Sequence, residues 1–349
     1  MATLKDIAAL LDLSVTQVSR ALNDHSDVNE ATRQRVKKAA KSLHYQPNVS
    51  ARKLVSGRSG MVGLVVPRSV QLDHDGLFLE VVSGLSSQFS GRGMQFVLHI
   101  AQDDEPVLSV YQRLIGSGAL DGFVLTEPLD DDPRISFLAA QGVPFVVHGR
   151  TAQQVAYPYF DIDNHRLSQH STDYLTARGH RRIALINGVA GRSYATARIA
   201  GYHAGLRAAG VQPDAGLLCQ GRMDESLGLI STVRLFSGDG PFPTAMLCGN
   251  ILIAKGVYRA LEALGLSIPQ DVSVIAHDDH LPNLRGSAFF PALTVTKSPI
   301  RDSWLPMADF LAGAIAGLPS DQLQRVADYE FIARNSVADA PARQCLPRR

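Results

Sequence analysis

The ten residues 14–23, SVTQVSRALN, combine an apolar helix face with a polar face that is almost uncharged. Val15, Val18, Ala21 and Leu22 are spaced three and four apart, as one face of a short helix requires. An ordinary solvated face would be rich in Lys and Glu. The members of this one are Thr16, Gln17, Ser19, Arg20 and Asn23. Because base edges in the DNA major groove are read by shaped hydrogen bonds and methyl contacts, this composition predicts a helix that reads DNA.

Individual roles on this helix follow from side-chain chemistry. We expect Val15, Thr16 and Arg20 to contact bases, with Arg20 bidentate to guanine and Val15 against a thymine methyl group. The remaining polar side chains fit contacts to phosphates, which set the register of a protein on DNA. They are Ser14, Gln17, Ser19 and Asn23. The alternative at this point is a three-helix unit that binds no DNA.

Helix signals around this segment predict an all-α helix-turn-helix domain at 1–46. Thr3 with Asp6 has the spacing of a capping box, and Ser14 with Gln17 repeats that spacing at the start of the second helix. Asn29 is placed to cap a third helix. Two short helices joined by a tight turn and closed by a third form a helix-turn-helix domain.

The distribution of charge favours a nucleic-acid partner for this part of the chain. Residues 1–58 hold ten Lys and Arg against five acids, so they carry +5, whereas the whole chain carries +1 and the remainder therefore −4. A small basic unit on a mildly acidic body is typical of a DNA reader joined to another domain.

The segment 47–60 predicts a hinge. Pro47 ends the third helix, and Asn48 is placed to cap a further helix at 49–55 that is too short to be stable alone. The segment is basic and carries Ala51 and Leu54 on one side. A helix that folds only against DNA and a partner copy would have this composition. Taken by itself, the segment is an interdomain linker.

From Met61 onward, short apolar runs alternate with helical patterns. The first series is MVGLVVP, MQFVLHI, GFVLT and PFVVHG, with helices near 77–91, 107–117 and 133–141. The second is RIALING, GLLCQG, TAMLCGN and VSVIAHD, with helices near 165–178, 196–209, 226–237 and 252–264. Two such series predict an α/β body with two open parallel sheets, whose ligands bind beyond the carboxyl ends of the strands.

Polar side chains at the predicted strand ends are candidate ligand contacts. Arg198 opens a helix after RIALING, Asn250 ends TAMLCGN and Asp278 follows VSVIAH. A guanidinium, an amide and a carboxylate are planar, bidentate groups that suit the vicinal hydroxyls of a sugar. Thr126, Asp163 and the segment 72–78 are weaker candidates. For each, the alternative is a helix cap or a turn residue.

Composition and short motifs limit the other classes of protein to which the chain could belong. Three widely spaced cysteines, the lack of a secretory leader and the lack of a long uncharged apolar stretch favour a cytoplasmic protein without a membrane segment. No nucleophile–base pair has a plausible setting, so we expect neither an enzyme nor a cofactor. The run HDDH at 277–280 is not expected to hold a metal, because four consecutive residues on a turn rarely converge.

The chain resembles the LacI/GalR family of bacterial transcriptional repressors. The resemblance begins with TLKDIAALLDLSVTQVSRALN and YQPNVSARKL and continues in order through VGLVVP, ALDGFVL, GVPFVVHGR, DIDN, RGHRRIALING, PTAMLCGN and PALTVTKSP. It implies a two-lobed, periplasmic-binding-protein-like body at 61–340. We assign 61–160 and 292–325 to the first lobe, 161–291 and 326–340 to the second, and 341–349 to a disordered tail.

For DNA, the resemblance implies a homodimer or a tetramer whose paired hinge helices enter the minor groove of a palindromic operator. Leu54 matches the leucine that kinks the central step, Ala51 matches the small residue beside it, and Asn48 begins the same helix. Because pyrimidine–purine steps kink at low cost, a central CG step is expected.

Departures from the family pattern leave the effector open. Ile251 stands where an Asp is usual, HGR (148–150) replaces FDR, and Ala276-His277 replaces a glycine-aromatic pair. We expect a repressor of sugar uptake or catabolism genes that a small sugar, such as an α-glucoside, releases from its operator. The alternatives are a corepressor-dependent regulator that responds to a nucleoside or purine, and a sugar receptor without a regulatory role.

Overall fold

The computed structural model describes residues 2–22, 25–45, 58–67, 77–102, 105–151 and 155–342. The chain divides into two compact units, 1–60 and 61–349, and each has a hydrophobic core of its own. The predictions for Asn23, Asn48, Ala51 and Leu54 lie outside the described residues, as do the predicted hinge helix at 49–55 and residues 343–349 of the tail.

The first unit is the predicted helix-turn-helix, formed by α1 (Leu4–Leu11), α2 (Val15–Leu22) and α3 (Glu30–Ser42). The predicted capping boxes are present: the Thr3 backbone N–H donates to Asp6 Oδ2 at 2.7 Å, and the Ser14 backbone N–H donates to Gln17 Oε1 at 3.0 Å. Small apolar side chains from the three helices form the core. They are Ile7, Ala8, Val18, Ala21, Val36, Ala39 and Ala40.

The first lobe of the second unit is a six-stranded parallel sheet in the order β11-β5-β4-β3-β1-β2. Its strands are β1 (Met61–Pro67), β2 (Gln95–Ala101), β3 (Gly122–Thr126), β4 (Phe145–His148), β5 (Tyr159–Ile162) and β11 (Gln324–Ala327). Its helices are α4 (Leu77–Gly91), α5 (Val107–Gly116), α6 (Pro133–Ala140) and α11 (Trp304–Ile315).

Alternation along the strands of this sheet sends side chains into two separate cores. On β3, Val124 packs in the core that α4 and α11 share, whereas Phe123 and Leu125 pack in the core of α5 and α6. Both faces are therefore covered, which explains why the strands have nearly continuous apolar sequences.

The second lobe is a six-stranded sheet in the order β12-β10-β9-β8-β6-β7, parallel except for β12. Its strands are β6 (Ile183–Asn187), β7 (Leu218–Gln220), β8 (Ala245–Cys248), β9 (Ser273–Asp278), β10 (Thr294–Lys297) and β12 (Glu330–Ile332). Its helices are α7 (Asn164–Thr176), α8 (Ser193–Ala208), α9 (Glu225–Leu235) and α10 (Ile251–Ala263). The structure thus has the two sheets that the alternating runs predict.

Helices α7 and α8 pack closely because α8 carries Gly201 at their contact. A Cβ atom at Gly201 would lie 2.1 Å from the backbone oxygen of His165, so no larger residue fits without a shift. This close approach brings the beginning of α7, at Asn164, to Arg198 on α8.

The strand pairing corrects the predicted lobe boundaries. Residues 292–325 were assigned to the first lobe, but β10 pairs with β9 in the second sheet, so the chain crosses only after Lys297. The ends of β5 and β11, at Ile162 and Ala327, belong to the first sheet and lie beyond the predicted boundaries. An apolar run indicates that a strand is buried but not which sheet it joins.

Candidate functional site

Helix α2 presents the predicted reading face to solvent. Val18 and Ala21 are buried in the core, whereas Val15, Thr16 and Arg20 are exposed. Among the predicted phosphate contacts, Ser14 and Gln17 are exposed and Ser19 is half-buried. The Ser14 and Gln17 side chains bond each other in the capping box, with Ser14 Oγ donating to Gln17 Oε1 at 3.1 Å. Both the cap and the exposed face therefore follow from the sequence.

Arg20 has an acidic partner that the sequence pattern did not reveal. Its Nη1 lies 2.9 Å from Asp27 Oδ2, and the two side chains are 50% and 48% exposed. The loop that carries Asp27 is fastened to α3, because Arg33 Nη2 donates to the backbone oxygens of His25 at 3.1 Å and Val28 at 3.0 Å. Asp27 is thus held in place beside the predicted base reader.

A cavity of about 240 Å³ lies between the lobes of the second unit. It is lined at the carboxyl ends of first-lobe strands by Val66, Thr126, His148 and Ile162, and after β9 of the second lobe by Asp279. This is where ligands of open parallel sheets bind. Leu77 and Phe78, the described end of the predicted segment 72–78, also line it.

Arg198 lines this cavity from α8 and is held there by two hydrogen bonds. Its Nε donates to Asn164 Oδ1 at 2.8 Å, and its Nη1 donates to the backbone oxygen of Gly249 at 2.5 Å. Nη2 has no hydrogen-bond partner among the described residues. The Tyr194 ring lies beside the guanidinium, with 5.6 Å between its centroid and Cζ. Burial lowers the pKa of Arg198.

Asp161 is a cavity residue that the sequence reasoning missed. It lies on β5, and its side chain is 11% exposed. Arg150 Nε donates to Oδ2 at 2.8 Å, and Asn164 Nδ2 donates to Oδ1 at 3.3 Å. Burial raises the pKa of Asp161 to about 6, although Arg150 acts in the opposite direction.

Asp279, and not the predicted Asp278, reaches the cavity. Asp278 is buried, and its carboxylate accepts the backbone N–H of His280 at 2.7 Å and that of Gly286 at 3.0 Å, so it holds a turn. Successive side chains of an extended chain point to opposite sides, which turns the next carboxylate toward the cleft. Asp279 Oδ1 lies 3.4 Å from His277 Nε2. Burial acts to raise the pKa of Asp279, but His277 and Arg198 outweigh it and lower the pKa.

Asn250 and Asp163 are not among the residues that line the cavity. Asn250 Oδ1 accepts the backbone N–H of Ile253 at 2.9 Å, and its Nδ2 donates to the backbone oxygen of Met223 at 3.0 Å. Asp163 Oδ1 accepts the backbone N–H of Arg166 at 2.9 Å. Both side chains cap helices, which is the alternative that the sequence left open for them.

An apolar wall faces these polar groups. Phe160 and Trp304 both lie near His148, with ring centroids 6.2 and 6.4 Å from the imidazole. Burial lowers the pKa of His148 to about 4, so the imidazole is neutral at pH 7. Trp304 is the single tryptophan of the chain, and Met307 extends the wall along α11.

Two further searches concern only the residues that the structure describes. No helix there is both long and apolar enough to cross a membrane. No three His, Cys, Asp or Glu side chains there are grouped as a metal site would require.

The chain matches two families of known proteins. Residues 3–48 match "Bacterial regulatory proteins, lacI family", and residues 59–321 match "Periplasmic binding proteins and sugar binding domain of LacI family". Over 346 residues the chain is 37% identical to the HTH-type transcriptional regulator AglR of Rhizobium meliloti (strain 1021). The matched region covers 99% of this chain and 96% of AglR.

Two solved structures resemble the protein over nearly its whole length. The complex of the transcriptional regulator CelR with cellobiose has a TM-score of 0.69 and 29% identity, and covers 96% of this chain and 100% of CelR. The Lac repressor dimer bound to operator and the anti-inducer ONPF has a TM-score of 0.76 and 25% identity, and covers 97% of this chain and 99% of the repressor chain.

A helix-turn-helix unit followed by a two-lobed body of parallel-dominated sheets defines a class of bacterial transcriptional regulators. The chain belongs to the LacI family of that class. Members of this family are transcriptional regulators and not enzymes.

Proposed function

We propose that this protein is a repressor that acts in the cytoplasm and binds a palindromic operator as a homodimer. A small sugar bound between the two lobes releases it from the operator. The genes it controls serve sugar uptake or catabolism, and an α-glucoside is one effector that we propose to test.

The DNA half of the proposal is supported by the exposed face of α2. Val15, Thr16 and Arg20 offer a methyl surface, a hydroxyl and a guanidinium, which are groups that distinguish base pairs in the major groove. The Lac repressor, which resembles this chain, has been solved as a dimer bound to operator. The hinge contacts proposed for Asn48, Ala51 and Leu54 at a central CG step lie outside the described residues.

The single observation that carries the ligand half is the cavity between the lobes. It offers a guanidinium, three carboxylates and an amide opposite an aromatic wall, a combination that suits the hydroxyls and the C–H face of a sugar ring. The related regulator CelR has been solved with cellobiose. Thr126 adds a hydroxyl from the end of β3.

The test of the DNA half is operator selection with the full-length protein, followed by titration of the selected duplex. Arg20→Ala should lose discrimination between the selected operator and its base variants, because a bidentate contact to guanine distinguishes bases by about 1–3 kcal/mol. Arg35→Ala removes the same charge from an exposed position on α3 and serves as the control. An Arg20→Ala protein that still discriminates like the parent would remove α2 from the role of reader.

The test of the ligand half uses the single tryptophan. Fluorescence of Trp304 and thermal unfolding are followed during titration with cellobiose, maltose, sucrose and adenosine, because a ligand that binds only the folded state raises its stability. A sugar that binds and weakens operator binding supports the repressor. Adenosine that binds and strengthens operator binding would replace the proposal with a corepressor-dependent regulator.

A further inference from the structure

Two loops from opposite lobes contact each other at the rim of the cavity. One follows β3 in the first lobe, and the other follows β6 in the second lobe and leads into α8. Glu127 and Pro128 of the first loop line the cavity, as does Ser193 at the start of α8. Leu129 and Arg192 are not among the lining residues, and they pair with each other as an isolated antiparallel β-bridge. The lobes therefore touch directly at this rim, in addition to being joined where the chain crosses between them.

Backbone hydrogen bonds between the lobes flank this bridge on both sides. The Ser193 backbone N–H donates to the Pro128 oxygen at 2.9 Å, and the Asp130 backbone N–H donates to the Gly191 oxygen at 3.2 Å. This is the pattern of a short ladder between two antiparallel strands. Because the donors and acceptors belong to the backbone, the contact forms from groups of the protein alone and needs no ligand.

Two side chains of the second lobe reinforce the contact. Thr196 Oγ1 donates to Asp130 Oδ2 at 2.7 Å. Arg192 Nη1 donates to the Glu127 backbone oxygen at 2.5 Å, and its Nη2 lies 3.8 Å from Glu127 Oε2. The Glu127 side chain is 62% exposed, and exposed ion pairs are weak, so the hydrogen bonds supply most of the attraction.

The first-lobe loop is held in shape by its own lobe. The Leu129 backbone N–H donates to Asp132 Oδ2 at 3.1 Å, and Arg134 Nη2 bonds both Asp132 Oδ2 at 2.6 Å and the Thr126 backbone oxygen at 3.1 Å. Glu127 has a φ of 49°, a left-handed conformation that a residue other than glycine adopts only where its surroundings hold it. A loop that is already ordered loses little conformational entropy when it meets the other lobe.

The position of the contact gives it leverage over the cleft. The chain crosses between the lobes after β5, β10 and β11, which lie at or next to one edge of each sheet. The contact joins the ends of β3 and β6, which lie two strands from β5 and three strands from β10. At about 4.8 Å per strand, it is about 10–15 Å from the crossings. A rotation of about 20° around the crossings would separate the loops by about 3.5–5 Å, which breaks hydrogen bonds.

We infer that segments 127–130 and 191–196 form a latch that holds the two lobes closed in the absence of a ligand, so that opening of the latch limits exchange between the cavity and solvent. This goes beyond the proposed function, because the latch acts whatever ligand the cavity accepts. A ligand enters through the open arrangement, and the rate of its binding depends on how often the latch opens.

The first test locks the latch in the full-length, ligand-free protein. The double variant Leu129→Cys, Arg192→Cys places two thiols at a non-hydrogen-bonded antiparallel pair, where Cα atoms are about 4.5 Å apart and a disulfide fits. The readout is quenching by acrylamide of the single tryptophan, Trp304, which lines the cavity and is 7% exposed. The oxidised form should be quenched about threefold or more less than the reduced form, because the crosslink removes the open arrangement. Equal quenching of the two forms, or failure of the two thiols to pair, would overturn the latch.

The second test weakens the latch without adding a crosslink. Thr196→Val keeps the shape of the side chain but removes the hydroxyl that bonds Asp130, and Thr196 is not a lining residue of the cavity. Quenching of Trp304 should rise by about two- to tenfold, the change in opening that one hydrogen bond produces. Ser237→Ala is the control, since it removes an exposed hydroxyl that bonds the backbone oxygen of Val233 on the same lobe. Parent-like quenching in Thr196→Val, or an equal rise in both variants, would contradict the inference. Because acrylamide is the only probe, neither result depends on whether the protein responds to a sugar.

Discussion

The neighbouring acids Asp278 and Asp279 allow a direct test of the cavity. The Asp279→Asn substitution keeps size and shape but removes a charged acceptor from the cavity wall. A hydrogen bond to a charged group is worth about 1.5–3 kcal/mol, which corresponds to a loss of about 10- to 150-fold in ligand affinity. The fold should be little affected, because no backbone N–H of the described residues donates to this side chain, which lies 3.4 Å from His277 Nε2.

The matched variant Asp278→Asn should lose stability and keep its ligand affinity. The Asp278 carboxylate accepts two backbone N–H groups, from His280 and Gly286, and an asparagine side chain offers one acceptor oxygen. One buried N–H then loses its partner, at a cost of about 1–3 kcal/mol in the free energy of unfolding. For a unit of this size the melting temperature should fall by roughly 2–10 °C.

The assay is the same for both variants. Thermal unfolding without ligand reports stability, and titration of Trp304 fluorescence with the sugar that binds the parent reports affinity well below the melting temperature. Asp279→Asn should lose affinity at nearly unchanged stability, whereas Asp278→Asn should lose stability and keep the parent affinity within about threefold. If Asp278→Asn lost affinity and Asp279→Asn did not, the assignment of Asp279 to the cavity would be refuted.

Two further predictions concern other charged groups. Asp27→Asn should reduce discrimination between operator variants by about 1–3 kcal/mol, because Asp27 orients Arg20. The control Asp12→Asn removes an equal charge at the end of α1 and should leave discrimination unchanged. Competition binding between operator variants measures discrimination, and equal effects of the two substitutions would contradict the role of Asp27. Sugar affinity of the parent should fall as the pH is lowered from 7.5 to 5. Burial places the pKa of Asp161 near 6 despite Arg150, and the protonated carboxyl is a weaker acceptor. Asp161→Asn should remove this dependence in fluorescence titrations, and an unchanged dependence in that variant would contradict the assignment.

Patterns that depend on periodicity were predicted well. The helix near 133–141 is observed at Pro133–Ala140, and the capping box of Ser14 and Gln17 is formed, because helical spacing and caps are local properties of the sequence. Strand β10 was placed in the wrong lobe, because its pairing partner β9 is fixed by the fold of the whole unit and not by its own residues.

The cavity was predicted only in part for a related reason. Arg198 and Thr126 line it. Asp278 does not, since a shift of one residue at the end of a strand turns a side chain to the other side, and Asn250 does not, since its side chain caps α10. Asp161 was overlooked although a signal was present. Asp161 is the first residue of the motif DIDN (161–164), which served for the family resemblance but not as a source of ligand contacts, and it lies on β5 at the cavity.

The polar groups of the cleft form a continuous connection between the lobes. Arg150, which follows β4, donates to Asp161 on β5, and Asn164 at the start of α7 also donates to Asp161. Arg198 donates to Asn164 and to the backbone oxygen of Gly249, which follows β8. Arg150 and Asp161 belong to the first lobe, and Asn164, Arg198 and Gly249 belong to the second lobe. A ligand that bonds Asp161 and Arg198 therefore touches both sides of this connection. Such a ligand shifts the equilibrium between two arrangements of the lobes only by the difference between its binding free energies for the two arrangements. Coupling free energies of this kind amount to about 1–3 kcal/mol. Because Asn164 lies at the crossing and bonds both partners, the hydrogen bonds of this one amide depend on the relative position of the lobes.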